Sequence, residues 1–369
     1  MSENSPIFVT RPALPPLDEF TEQLKKIWDS RIVTNNGPFH EEFEERLAQY
    51  LGVEHISLLS NGTLSLITAL HVMSISGEVI TSPFSFVATT HSLWWNNIKP
   101  VFADIEPGTF NLDPSKVEAA ITERTTAIMP VHVYGNPCNQ KELQRVADKY
   151  GLKLIYDAAH AFGVKVDGES LLNFGDLSIL SFHATKVFNT VEGGAIVCRD
   201  RETKLRVDNL RNFGFTGEIT VVETGINSKM NELQAAYGLL QLKYIDEYIS
   251  KRRAVAYRYR ELLSNKKGIR VLLDIEGVDH NYCYFPILID SQLFGKSRDE
   301  VYELLQQHNI FGRRYFYPLI SDFPPYRGLS SSGRENLPVA SLVSEQVLCL
   351  PIYPDLPLES VEFICNLIE

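Results

Sequence analysis

Four short segments place reactive or ligand-holding side chains where apolar, strand-like runs end. The run HISLL (His55–Leu59) opens through Ser60, Asn61, Gly62 and Thr63 into the helix-like LSLITALHVM. Free backbone N–H groups and the dipole at a helix start attract an anion, and a glycine there lets a phosphate approach the backbone. The same residues also make an ordinary helix cap. Asp157 ends the apolar run LKLIY and precedes Ala158, Ala159 and His160. A carboxylate in that place can hold a protonated ring nitrogen, and a paired cation keeps it ionised despite burial. Its competing use is to cap whatever follows the strand. Lys186 lies a few residues beyond LSILSF (residues 177–182), near a pocket floor, where partial desolvation makes an amine nucleophilic. Ser181, in the same run, can add a hydroxyl to an anion site. Phe86, just past the apolar residues around Ile80, offers a flat face for a ring, although a lone phenylalanine more commonly packs in the core.

In chain order these are an anion site, an aromatic face, a partner for a ring nitrogen and a lysine nucleophile. Together they describe a pocket for pyridoxal 5'-phosphate. Such a pocket needs elements that all end on one side. From about residue 40 to residue 200 the chain alternates short apolar runs with helical segments. Residues 41–51 put Phe43, Leu47, Tyr50 and Leu51 on one stripe, with Gly52 as a stop. Strand and helix alternate again around EVIT, KPVFADI and TTAIMPVHV, the last leading to the helix KELQRVADKY. Strands separated by helices predict an α/β fold with a mainly parallel sheet covered on both faces. Ligands of such sheets lie beyond the strand C-termini, where all four segments fall. After GAIVC (Gly194–Cys198) a long helical stretch begins at Asn231 and leads to a C-terminal part with its own strand, YCYFPILI. Two domains are expected, residues 1–245 and residues 246–369.

Composition excludes other classes. The 369 residues carry 35 Lys and Arg against 46 Asp and Glu, a formal charge of −11, so a long nucleic-acid groove is not expected. Five scattered cysteines without a C-x-x-C pair read as reduced thiols in a cytoplasmic protein, and no metal is expected. The first residues lack a basic segment followed by an apolar one, and no apolar run approaches membrane-spanning length, so neither a leader nor a membrane partner is expected.

Over nearly its whole length the chain resembles the sugar-nucleotide aminotransferases of the DegT and StrS kind, within the fold type I, aspartate aminotransferase-like superfamily. The resemblance rests on TNNGPFHEEFE, SNGTLSL, ITSPFSFVATTHS, IMPVHVYGNP, YDAAHAFG, DLSILSFHATKVFNTVEGGAIV, GINSKMNELQAA and YFYPL, in order and spacing. It implies a large three-layer domain with a smaller α+β C-terminal domain. It also implies that Lys186 binds the cofactor covalently and Asp157 pairs with the pyridine nitrogen. Phe86 and His160 would sandwich or hydrogen-bond the ring, and Gly62, Thr63 and Ser181 would hold the phosphate. Asn227 matches a position that reaches the phosphate in the neighbouring subunit, which implies a homodimer with shared active sites.

The implied reaction moves an amino group from L-glutamate to a ketosugar nucleotide. SFHATKVFNTVEGG with TNNGPFH looks most like enzymes acting on dTDP-4-keto-6-deoxy-D-glucose, which supply surface polysaccharide such as O-antigen. Candidate substrate contacts are His183, Arg211, Lys229, Tyr315 and Tyr317, because Arg and Tyr suit diphosphates and sugar hydroxyls; the two tyrosines equally suit packing between domains. Amination of a C-3 ketone on a dTDP-sugar and sugar dehydration on the same fold remain alternatives. Lys186 and the absence of clustered cysteines argue against dehydration.

Overall fold

The computed structural model describes residues 5–369. Its centre is a seven-stranded sheet with the order His55–Leu59, Gly194–Cys198, Leu177–Ser181, Lys153–Asp157, Thr125–Met129, Glu78–Thr81, Lys99–Phe102. The five strands from Leu177–Ser181 to Lys99–Phe102 run parallel. Gly194–Cys198 runs against both of its neighbours, so the edge strand His55–Leu59 points the same way as the parallel block.

Helices cover both faces of this sheet, and its strands are therefore apolar on both sides rather than alternating with polar residues. The strand period of two sends alternate residues to two cores. Leu58, Leu180, Ala195 and Val197 pack with Phe43 and Leu47 of the helix Pro38–Leu51. Leu59, Ile179 and Ile196 pack with Leu66, Ala69 and Leu70 of the helix Gly62–Val72 on the other face. Helix ends follow local chemistry. Gly52 and Gly151 close their helices in the left-handed conformation. The buried Glu232 carboxylate accepts from the Phe39 and His40 amides at 2.9 and 2.8 Å, capping Pro38–Leu51 from about 190 residues away in the chain.

The 32-residue helix Glu232–Leu263 runs straight through position 245. Ala235 and Ile245 pack into the core beneath the large sheet, whereas Val255, Ala256, Tyr259 and Leu263 pack into a second core. That second core includes an antiparallel sheet ordered Ile269–Val271, Phe285–Ile289, Val347–Leu350. The N-terminal strand Ile7–Phe8 pairs in parallel with Ile310–Phe311, which joins the start of the chain to its C-terminal part. Among the described residues, no helix is long and apolar enough to cross a membrane.

Candidate active site

Strand register brings the four predicted segments to one rim of the sheet. Gly194 pairs with Leu59 on one side and with Ser181 on the other. Asp157 pairs with Ile179, two residues before Ser181. The helix start after Leu59, the Ser181 hydroxyl and the Asp157 carboxylate thus share the C-terminal edge.

Asp157 is buried, and its two oxygens are held separately. Thr89 Oγ1 donates to Oδ2 at 2.7 Å, and the Ala159 amide donates to Oδ1 at 3.1 Å. Burial pushes the carboxyl above its usual range; Thr89, Ala159 and the charge of Lys186 pull it back. Lys186 sits in a turn closed by Phe182 N–H to Gly193 O, Thr190 N–H to Phe182 O and Ala184 N–H to Val191 O, at 2.8 to 2.9 Å. Burial of the amine makes it a weaker base than an ordinary lysine, with the Cys283 thiol and Asp157 opposing that shift. His160 is buried and held neutral by burial and by Lys186. Its Nδ1 accepts from the Tyr134 amide at 3.3 Å, and its ring lies parallel to Phe316 with centroids 6.0 Å apart.

The anion site is built by exclusion as well as by donors. Asn61 caps the helix Gly62–Val72 by accepting from Leu64 N–H. The amides of Gly62 and Thr63 at this helix start therefore remain for a ligand. A Cβ on Gly62 would stand 2.8 Å from Ser181 Cβ and 3.0 Å from Ser181 Oγ. Only a glycine leaves room there for an anion touching both the amides and the hydroxyl. Phe86, in the loop before the helix Ala88–Trp95, keeps 56% of its surface exposed although it is a large apolar ring. That exposure leaves its face free for a flat ligand.

The other predicted residues separate into two groups. His183 is exposed, its Nδ1 2.9 Å from Thr185 Oγ1. Lys229 lies beside Leu59, donating to Asn212 Oδ1 and Asn227 Oδ1 at 2.8 Å each, while Asn227 is exposed. Burial and Arg211 make Lys229 less basic. Tyr315 is half-buried, edge-on to Tyr284, and its carbonyl accepts from Tyr134 Oη. Tyr317 is exposed with the Arg298 guanidinium 4.5 Å from its ring centroid. Arg211 corrects the sequence expectation. It is only 3% exposed, and its guanidinium is taken up by Leu58 O at 2.7 Å, Glu44 at 3.1 Å and Asp208 at 2.8 Å, so it is not presented to a substrate.

Residues absent from the sequence reading complete the site. Thr89 and Ser85 stand behind Asp157, with their hydroxyl oxygens 2.7 Å apart. Asn281 donates to the carbonyls of His160 and Phe162 at 2.8 and 2.9 Å and accepts from Cys283 N–H, tying the C-terminal part to the pocket. Thr89 had a signal, since it falls in the first turn after SPFSF; Asn281 had none.

The model of the DegT/DnrJ/EryC1/StrS aminotransferase family matches residues 17–369. A dTDP-4-amino-4,6-dideoxy-D-glucose transaminase of Escherichia coli is 52% identical over 98% of this chain and 97% of its own length. One of the same description from Shigella dysenteriae is 50% identical over 99% of this chain and 98% of its own. The crystal structure of DesI with its TDP-sugar product superposes with a TM-score of 0.94 at 38% identity, covering 99% of this chain and 92% of that one. The chain belongs to the DegT/DnrJ/EryC1/StrS aminotransferase family, whose members are pyridoxal phosphate enzymes on the aspartate aminotransferase-like fold. The site fits that cofactor in its glycine cradle, its buried carboxylate and its amine of lowered basicity.

Proposed function

We propose that this aminotransferase moves the amino group of L-glutamate to C-4 of dTDP-4-keto-6-deoxy-D-glucose, giving dTDP-4-amino-4,6-dideoxy-D-glucose for surface polysaccharide. The observation that carries the reaction is the convergence of Lys186, Asp157 and the Gly62 cradle on one rim. The choice of sugar is supported by relatives about half identical along almost the entire chain.

Bound pyridoxal phosphate supplies an electron sink for the pair released when a Cα–H bond breaks. Lys186 is the residue that would bind the cofactor, and its amine, once freed, would carry the proton from the donor Cα to C4′ of the cofactor, and in the second half-reaction from there to the sugar carbon. An amine of lowered basicity is suited to that exchange near neutral pH. Asp157 holds the proton on the ring nitrogen, and Phe86 and His160 flank the ring. Gly62 N–H, Thr63 N–H and Ser181 Oγ bind the phosphate. His183, Lys229, Tyr315 and Tyr317 are the substrate contacts, and Asn227 reaches the phosphate in the partner subunit of a cytoplasmic homodimer. The division into residues 1–245 and 246–369 belongs to the same reading.

The test is incubation of the cofactor-loaded protein with L-glutamate and either the 4-keto or the 3-keto dTDP-6-deoxysugar, with products identified by mass and NMR. An amine at C-4 is expected. An amine formed only at C-3 overturns the substrate and keeps the chemistry, and turnover by Lys186→Ala overturns the chemistry.

A further inference from the structure

Behind Asp157 lies a chain of buried hydroxyls that the reaction as described leaves without a task. Ser85 Oγ is 2.7 Å from Thr89 Oγ1, and Thr89 Oγ1 is 2.7 Å from Asp157 Oδ2. All three residues are buried. Each hydroxyl carries one proton, and an ionised carboxylate can only accept. With Asp157 ionised, the Thr89 proton must therefore point at Oδ2 and the Ser85 proton at Thr89 Oγ1. A proton on Oδ2 would make that oxygen the donor and turn the Thr89 hydroxyl away from it. The orientation of the Thr89 hydroxyl seen here therefore favours the ionised carboxylate.

We propose that Thr89, backed by Ser85, is a positioning residue that keeps the Asp157 carboxylate ionised and aimed at the ring nitrogen of the cofactor. The inference rests on the pairing of Asp157 with that nitrogen. Two features make Thr89 the controlling group. The Ala159 amide belongs to the same segment as the carboxylate and follows it wherever it turns, whereas Thr89 comes from a separate helix, Ala88–Trp95, and fixes it in space. The charged neighbour is Lys186, on the turn after Leu177–Ser181; His160, three residues along, is held neutral by burial. Against the cost of burial, Thr89 is the foremost contact favouring the ionised form.

The experiment compares Thr89→Val, Thr89→Ser and Asp157→Asn, each reconstituted with cofactor labelled with 15N in the pyridine ring. The readouts are the 15N shift of that nitrogen, the cofactor Kd and the rate of the glutamate half-reaction. A hydrogen bond to a charged group corresponds to about 10- to 100-fold. Thr89→Val is expected to move the 15N signal toward the unprotonated position and slow the half-reaction by about that factor, with its acidic limb displaced to higher pH. Thr89→Ser keeps the hydroxyl and is expected to remain within about 3-fold of the parent, since it loses only a methyl group. A parental 15N signal and rate in Thr89→Val, with both lost in Asp157→Asn, overturn the role of Thr89 alone. A protonated nitrogen in Asp157→Asn overturns the pairing beneath it. Should Thr89→Val not fold, Ser85→Ala removes the donor behind Thr89, and an unchanged 15N signal there refutes the proposal.

Discussion

Replacement of Arg211 by methionine separates a ligand-binding arginine from an architectural one. The side chain is 3% exposed and lies between the strand His55–Leu59 and the helices Pro38–Leu51 and Arg201–Leu210. It donates to Leu58 O at 2.7 Å and to Glu44 at 3.1 Å, and pairs with Asp208 at 2.8 Å. Removing one partner of a buried ion pair typically costs about 3 to 5 kcal/mol, because the remaining charge stays buried without compensation. Here Lys204 still bridges Glu44 and Asp208 at 2.7 and 2.8 Å, and Leu58 N–H still donates to Glu44 at 3.2 Å. The low end, about 3 kcal/mol, is therefore expected. At roughly 2 °C per kcal/mol for a chain of this size, thermal unfolding should begin about 6 °C earlier. Arg211→Lys, which keeps the charge and loses the fork, should fall between the two. The folded Arg211→Met protein should keep the KM of its sugar-nucleotide substrate. An unchanged melting temperature with that KM raised tenfold or more would show that the guanidinium serves a ligand and would refute the structural assignment.

Gly62→Ala puts a methyl group 2.8 Å from Ser181 Cβ; overpacking of this kind costs about 1 to 3 kcal/mol, so cofactor affinity should drop by roughly 5- to 150-fold, and an unchanged Kd in a fluorescence titration would dismiss the cradle. Glu78 is buried, and against that burial its bonds from Thr122, Arg124 and Lys99 bring its carboxyl down to about 2. Since the folded value lies below the unfolded one, its contribution of about 3 kcal/mol is complete above pH 4.5 and is lost as pH falls toward 2. Glu78→Gln should flatten the acid limb of the stability curve in that window, and an unaltered limb would count against the assignment. Val191 is a β-branched residue held at φ 66 in the turn that carries Lys186. Val191→Gly should raise the melting temperature by about 1 to 2 °C, because relief of left-handed strain of about 1 to 2 kcal/mol exceeds the added unfolded-state entropy; a lower melting temperature would show that the strain is not there.

The strand-end residues were legible because each lies at a change of texture in the chain. Asp157 closes an unbroken apolar run, and Gly62 interrupts the passage from strand to helix, so local pattern alone marks them. Arg211 was misread for a related reason. Its type suits a phosphate, but the carboxylates that consume it, Glu44 and Asp208, lie on two different helices, and only the tertiary fold brings them together. Glu232 gave no signal either, because the helix it caps, Pro38–Leu51, lies about 190 residues earlier in the chain. Asn281 gave no signal because its partners are backbone carbonyls, which every residue possesses.

Burial acts on Lys186 and Asp157 in the same sense, toward a neutral amine and a neutral acid. Desolvation alone disfavours the charged form of each, which helps a group that moves protons and hinders one that must hold a ring nitrogen protonated. Hydrogen bonding breaks that symmetry. Two donors, Thr89 Oγ1 and the Ala159 amide, converge on the carboxylate and favour its charge. Among the described residues, no carboxylate or carbonyl accepts a hydrogen bond from Lys186 Nζ, so nothing comparable restores the charge of the amine. Donors are thus placed on the carboxylate while no acceptor is placed on the amine, and that unequal placement favours charge on Asp157 over charge on Lys186.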